Sequence, residues 1–465
     1  MIAHLLLAAA LAASAAAAAG AAPAGAAPAS AATPTSAAAP AAQDTGRLTL
    51  AEALRGALER YPTVAAARAS RDVAAAAVGE ARAPLLPRLS LDASLTKFQE
   101  PSIVYPLHGF SIASPPEFDR TLAQGTATLS YTLWDFGGRA SRLRAARAAE
   151  TAADAAVGAT EAALVARVSG AFLRVLTLRG VLAAQDQQIA ALDAETDRVH
   201  QLLQAGRAAR VEVLRIEAEA SRARADREGT AASLDVAERD LAQLANVPVE
   251  RARAGALTQL RLRDSAAAPA REALLERARE ANPDLRQARR SAEAGRAQLA
   301  AVRATRFPEL RLQGSYVDRG KASGDFRGEW QAGLGISYPL FTGGQRQGQI
   351  RRADADSRVR AEQQRQVEMA LEQGVDRALA TLREAHARVA ALNTAVARFD
   401  EVVRIRRLSL QTGSGTQTDY LGAETDLLRA RASLVEAQHG EIAARVELAR
   451  VTGELSPAWL ATVLQ

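Results

Sequence analysis

The sequence predicts a mainly helical fold with a four-strand β contribution, in which a helix–strand–strand–helix unit occurs twice. Three observations carry that expectation. Punctuation recurs at a fixed offset: Tyr61-Pro62 answers Asn282-Pro283, and Pro87-Arg88-Leu89 answers Pro308-Glu309-Leu310, both 221 positions apart (283 − 62). Four stretches alternate apolar and polar residues with a period of two. Two more, Gly138 to Gly206 and Gly344 to Gly413, run without a proline. A duplicated unit sets the architecture of the whole chain and excludes a string of unrelated domains.

The first two strands are expected near 88–98 and 124–134. In the first, Leu89, Leu91, Ala93 and Leu95 alternate with Arg88, Ser90, Asp92 and Ser94; in the second, Ala127, Leu129, Tyr131 and Leu133 alternate with Thr126, Thr128, Ser130 and Thr132. The other two are expected near 308–318 (Leu310, Leu312, Gly314, Tyr316) and 329–340 (Trp330, Ala332, Leu334, Ile336, Tyr338). Such alternation marks a strand with one apolar face. The same length and pattern suit a membrane strand of about 9–11 tilted residues. Phe98, Tyr131, Trp134, Trp330, Tyr338 and Phe341, near strand ends, suit an aromatic girdle. The alternative is a soluble sheet packed on helices. If the strands span a membrane, four cannot close a barrel, because unpaired edge groups are not tolerated in lipid and membrane barrels begin at about eight strands. The membrane reading therefore requires several copies of the chain.

After the second strand of each unit, Trp134-Asp135-Phe136-Gly137-Gly138 answers Phe341-Thr342-Gly343-Gly344. These glycines, Gly137, Gly138, Gly343 and Gly344, mark the strand–helix junctions. Beyond them each proline-free stretch makes a helix of roughly 100 Å at about 1.5 Å per residue. Heptad spacing runs through Leu182, Ile189, Thr196 and Leu203, with Leu192 and Val199 alongside. It recurs through Leu382, Val389, Val396, Val403 and Leu410, and through Leu421, Leu428, Val435 and Ile442 on the returning helix. Sustained seven-residue spacing means supercoiled packing. Gly206 and Gly413, 207 positions apart (413 − 206), turn each hairpin back.

Composition agrees. Of 465 residues 48% are apolar, many of them Ala, and 4% are aromatic. Small side chains suit close helix–helix contact more than a bulky core. The net charge of +6 is carried by Arg; Lys97 and Lys321 are the only lysines. Arg alternates with acids, as in Arg215-Ile216-Glu217, which describes solvated helix faces and not a nucleic-acid groove. The histidines, His4, His108, His200, His386 and His439, are scattered, and no metal, phosphate-loop or nucleophile motif is present. Neither catalysis nor a cofactor or metal is expected. Absence of cysteine removes disulfides and N-terminal lipidation.

An apolar run from Leu5 through Ala19, followed by Ala-x-Ala options, reads as a secretory signal peptide over residues 1–22. Its n-region lacks Lys and Arg, and the competing reading is an uncleaved membrane helix; the Ala-rich second half would anchor poorly. Residues 23–46 read as an Ala/Pro-rich linker. The first unit is placed at 47–245, a connector at 246–268, the second unit at 269–452 and a tail at 453–465.

Taken in order, the leader, the duplicated units, the proline at each first strand, the glycine pair after each second strand and the glycine-turned hairpins resemble the TolC-like outer membrane efflux proteins. Particular matches are Leu48-Thr49-Leu50-Ala51-Glu52-Ala53-Leu54 before Tyr61-Pro62, Leu133–Arg139, and Gly413 followed by Asp419-Tyr420-Leu421. No single motif is specific; their order and duplication are. The resemblance implies a homotrimer in which three protomers give four strands each to a 12-stranded barrel in outer membrane lipid, continued by a periplasmic α-helical barrel. Ser90, Thr128 and Ser337 would then face the lumen and Leu91, Leu129 and Ile336 the lipid. It also implies a passive conduit for efflux or type I secretion, joined through a periplasmic adaptor to an inner-membrane pump of RND, ABC or MFS type. The adaptor would touch the hairpin tips, Gly206, Arg207, Ala208, Ala209 and Arg210 in the first unit and Gly413, Ser414, Gly415, Thr416 and Gln417 in the second. These are helix-turn residues on any reading.

Asp419 stands where some members place a gating acidic ring, with Glu212 its equivalent (419 − 207). The chain departs from the fuller pattern at Gly422. The bland alternative for Asp419 is a carboxylate favoured by a helix N-terminus. The rival for the whole chain is a soluble coiled-coil scaffold. What passes through such a conduit is not written in the sequence.

Overall fold

A computed structural model describes residues 48–104, 118–253, 260–263, 270–412 and 414–464. The expected leader and linker, parts of the connector, and Gly413 lie outside them. In chain order the elements are α1 (Leu50–Arg60), α2 (Pro62–Arg82), β1 (Arg88–Ile103), β2 (Phe118–Trp134), α3 (Gly138–Gln204), α4 (Arg210–Ala245) and α5 (Val249–Arg253). There follow α6 (Arg271–Ala281), α7 (Pro283–Ala304), β3 (Glu309–Lys321), β4 (Phe326–Ser337), α8 (Gln345–Gln411), α9 (Gln417–Thr452) and α10 (Pro457–Val463). The duplication is exact in length for the long helices: α3 and α8 have 67 residues each, and α4 and α9 have 36. Both pairs begin 207 positions apart (345 − 138, 417 − 210).

The chain forms two compact units, one of Ala74–Ala149 with Glu293–Val359, the other of Gln43–Val73, Glu150–Ala292 and Arg360–Gln465. The first carries the sheet, an antiparallel meander in the order β1-β2-β3-β4. Register aligns the apolar residues in rows: Leu89–Leu129–Gly314–Ala332, Leu91–Ala127–Tyr316–Trp330 and Tyr131–Leu312–Leu334. The interleaved rows are polar, as in Ser90–Thr128–Ser315–Gln331 and Asp92–Thr126–Val317–Glu329, with Val317 the exception. Strand alternation thus becomes a two-sided sheet. Tyr316 also shields Gly328, where an added Cβ would lie 2.2 Å from the Tyr316 hydroxyl.

β1, β2 and β3 are longer than the alternation alone indicates, at 16, 17 and 13 residues, while β4 has 12. Pairing outruns the apolar band, since Lys97↔Thr121 and Ser102↔Asp119 continue the β1–β2 ladder past the last Leu. β4 instead ends at Ser337, short of 340. Its last partner is Glu309; Pro308, which precedes it, has no N–H to extend the ladder.

The helical unit holds two main cores. One joins Leu50, Ala53 and Leu54 of α1, Val165, Val168, Phe172 and Val175 of α3, Leu241 of α4, Ile442 of α9 and Leu460 of α10. The other joins Leu274 and Leu275 of α6, Leu285 of α7, Val375, Leu379 and Leu382 of α8, and Leu448 and Val451 of α9. Leu262 bridges Leu464, tying connector to tail. α1 starts at a capping box, Thr49 accepting from the Glu52 amide while Glu52 accepts from the Thr49 amide.

The expected heptad seam is corrected on α9. Of the expected residues Ile442 is buried, but Leu421, Leu428 and Val435 are only half-buried, whereas Ala423, Ala430, Ala437 and Ala444, also seven apart, are all buried. Alanine lets paired helices approach closely, so the smaller residues take the inner position. α4 and α9 both end in a left-handed cap, at Asn246 (φ 52°) and Gly453 (φ 80°). Gly453 has a second constraint: a Cβ there would lie 2.5 Å from the carbonyl carbon of Ala281.

Candidate functional site

Three features of the sequence point to function, and each has a defined geometry. The first is the sheet. Its apolar rows face outward: Leu89, Leu91, Leu95, Trp330, Leu334 and Ile336 are 59–75% exposed. β1 and β4 are both edges with no further strand among the described residues. Leu91, Leu129 and Ile336 share this apolar face, and Ser90, Thr128 and Ser337 the polar one. A large exposed apolar face with open edges is stable in water only when covered.

The second is the pair of strand–helix junctions. In the first, Phe136 (φ 53°) and Gly137 (φ 81°) are left-handed; in the second, Gly343 (φ 58°) and Gly344 (φ 83°). With an offset of 207 the structural equivalent of Gly343 is Phe136, so the two glycine pairs are out of step by one residue. Gly138 instead begins α3, where a Cβ would crowd Asp135 Oδ2 at 3.1 Å and Ala304 Cβ at 3.3 Å. Phe136 accepts an unfavourable backbone while its ring stacks on Phe307 at 4.6 Å.

An arginine locks each junction; Arg139 falls within the Leu133–Arg139 match without a role given to it, and sequence reading missed Arg346. Arg139, 9% exposed, donates its backbone N–H to Asp135 Oδ2 at 2.6 Å and its Nη1 to the Pro84 carbonyl at 2.8 Å. Its guanidinium lies 5.9 Å from the centre of the Tyr131 ring. Arg346 repeats the aromatic contact, 5.3 Å from the Tyr338 ring, but donates at 2.6 Å to the Pro339 carbonyl seven residues back, where Arg139 reaches the segment before β1. The signal was legible as a Tyr eight residues before an Arg, twice, at offset 207. Arg139→Ala is expected to cost about 2 kcal/mol, since it removes charged hydrogen bonds from a buried position. The more exposed Arg346→Ala should cost less. The loss temperature of β-sheet circular dichroism reads both.

The third feature is the pair of hairpin tips. At the first, Gly206 (φ 68°) closes α3: its N–H reaches the Leu203 carbonyl and the Arg207 N–H the Leu202 carbonyl at 2.8 Å. That is a Schellman closure, which needs a left-handed residue. Arg207, Ala209 and Arg210 are exposed, while Ala208 packs on Val199, Val213 and Ile216. At the second tip the Ser414 N–H donates to the Ser409 carbonyl at 2.9 Å, the same bond displaced by 207. Gly415 replaces Ala208, and a Cβ there would meet Ser409 Cβ at 2.9 Å.

Thr416 caps α9, accepting from the Asp419 amide at 3.1 Å; Ala209 gives α4 no such cap. Asp419 is half exposed, with Arg406 Nη1 at 4.0 Å. Hydrogen bonding to Thr416, and then the Arg406 charge, holds its carboxyl below the ordinary value. Glu212 lies in the first turn of α4. Beside Asp419, Tyr420 accepts from Arg407 at 3.0 Å. The scattered histidines form no cluster among the described residues. His439 is buried against Thr177 at 2.7 Å, and burial lowers its basicity.

A one-sided open sheet in one unit and long paired helices in the other are the features of the outer membrane channel class. A family model described as outer membrane efflux protein matches residues 53–247 and 274–454, and the chain belongs to that family. Among relatives, the outer membrane protein TolC of Vibrio cholerae is 25% identical over 417 residues, covering 88% of this chain and 91% of the relative. Protein CyaE of Bordetella pertussis is 29% identical over 408 residues, covering 84% and 81%. Among solved structures, the outer membrane protein VceC of Vibrio cholerae superposes with a TM-score of 0.71 at 22% identity, over 87% of this chain and 96% of that one. The chain is thus an outer membrane protein whose helices extend into the periplasm.

Proposed function

We propose that three copies of this chain close one 12-stranded barrel and form a passive conduit across the outer membrane, for efflux or type I secretion. The observation that carries this reading is the four-stranded sheet with an exposed apolar face and two open edges. Its polar face suits a water-filled lumen and its apolar face lipid. The duct performs no catalysis; an inner-membrane pump of RND, ABC or MFS type supplies energy through a periplasmic adaptor. Arg207 and Arg210 at one tip and Ser414 and Thr416 at the other offer the adaptor contacts, with Gly206 and Gly415 setting the turns. The apolar residues left exposed near the tip of α8, Val402, Ile405 and Leu408, suit contact with a neighbouring protomer.

In this reading three copies of Asp419 ring the periplasmic end and select cations, with Glu212 a weaker contributor on the uncapped helix. Asp419→Ala should raise single-channel conductance and weaken polycation block in planar bilayers; unchanged values remove Asp419 from the gate. The depressed carboxyl also sets a pH dependence. Its stabilising contact with Thr416 is fully present above the ordinary carboxylate value and is lost as pH falls through the lower folded value. Cation preference should fade over that same low range. Thr416→Val removes the largest cause of the depression and should move the fade to higher pH, read from reversal potentials.

A further inference from the structure

Where α7 ends and α8 begins, a cleft of about 430 Å³ is lined by Arg303, Arg306, Ile350, Arg351, Asp354 and Arg358. Ile350 is buried beneath it. The single acid, Asp354, is already shared, accepting from Arg303 at 3.0 Å and lying 3.4 Å from Arg358. Among the described residues, no carboxylate pairs with Arg306 or Arg351. Four guanidiniums thus face one carboxylate around an open cleft, an arrangement complementary to an oxyanion with several acceptor oxygens.

Its height in the molecule identifies the anion. Arg306 directly precedes Phe307, which is 49% exposed and stacks on Phe136. Phe136 meets Trp134 edge-on at 6.0 Å, and Trp134 belongs to the apolar row Trp134–Leu310–Ile336. Exposed aromatics ending an apolar band mark the membrane interface. Arg306 lies just beyond them on the helical side, with Arg303 one turn earlier near the end of α7, while Arg351 and Arg358 stand roughly 9 and 20 Å along α8 from its start. The fold does not require this set. The first unit keeps an arginine at two of the four places, Arg82 (303 − 221) and Arg144 (351 − 207), but has Leu85 for Arg306 (306 − 221), Thr151 for Arg358 (358 − 207) and Arg147 for Asp354 (354 − 207).

We propose that Arg303, Arg306, Arg351 and Arg358 form a phosphate-binding site for the headgroup of an anionic phospholipid in the periplasmic leaflet. The site rests on the membrane placement of the apolar face and is independent of what the conduit carries. The test uses the full chain, delipidated in non-ionic detergent and titrated separately with short-chain phosphatidylglycerol and with inorganic phosphate. Binding is followed by native mass spectrometry. The wild type should hold phosphatidylglycerol, and the double variant Arg306→Gln/Arg351→Gln should bind it about tenfold more weakly, having lost two charge-assisted contacts. Arg352→Gln, on the same stretch of α8 and 86% exposed, should bind as wild type does. Arg306→Lys/Arg351→Lys, which keeps the charge but not the fork, should fall between.

Displacement of the lipid by inorganic phosphate, with equal affinity for both, would assign the cleft to a free anion and overturn the lipid proposal. Equal binding by wild type and double variant, or an equal loss in Arg352→Gln, would overturn the site itself. Oligomeric state and β-sheet dichroism, recorded on the same samples, separate lost binding from lost folding. Failure of the channel reading would appear in conductance and leave these titrations unchanged.

Discussion

Leu129→Arg should prevent stable membrane insertion, while Thr128→Arg, one residue away, should leave the assembled protein intact. Leu129 lies on β2, an inner strand, in the apolar row Leu89–Leu129–Gly314–Ala332. Placing a guanidinium on a lipid-facing position near mid-depth costs about 2–4 kcal/mol, or roughly 30- to 900-fold in the insertion equilibrium. Thr128 pairs with Ser90 and Ser315 on the opposite face, where in the proposed barrel an arginine would enter the lumen and should alter ion selectivity. Folding into phosphatidylcholine vesicles, followed by the heat-dependent shift in gel mobility, separates the two. Equal tolerance of both substitutions would mean that the apolar face does not meet lipid.

Phe172→Ala should be the most damaging single change in the helical unit. Phe172 is fully buried, at 0% exposure, within the core that joins α1, α3, α4, α9 and α10. Truncating a buried Phe removes its transfer energy and leaves a cavity, together about 3–5 kcal/mol. Phe172→Leu keeps much of the apolar volume and should lose about 1–1.5 kcal/mol. Phe399→Ala, at the partly exposed hairpin cluster with Val403 and Leu427, should cost clearly less than Phe172→Ala. Urea titration of helical circular dichroism ranks the three.

Much of this architecture was legible in the sequence because it is periodic. Alternation over 88–95 and 126–133 fixed which residues share a sheet face, and the proline-free stretches became two helices of equal length. What escaped was decided by size and by contact. The α9 seam of Ala423, Ala430, Ala437 and Ala444 was hidden because leucine dominates a hydrophobicity count, while close helix approach selects the smaller side chain. The offset of 207 sets Phe136 against Gly343, but that Phe136 adopts the same left-handed backbone, with its ring received by Phe307, shows only in the folded chain. Arg139 and Arg346 looked like ordinary helix arginines; only the folded junction brings the Pro84 and Pro339 carbonyls to them. At the tips the sequence located the turns through Gly206, but the Thr416 cap and the Arg406 charge on Asp419 depend on side chains meeting across the hairpin.

The central claim is that one chain supplies a third of a closed sheet. The direct measurement is the subunit count of the detergent-solubilised protein, by native mass spectrometry, with the heat-dependent mobility shift recorded on the same particle. Three chains per particle that dissociate with loss of β-structure are predicted. A stable single chain, soluble without detergent and with its four strands intact, would contradict the account.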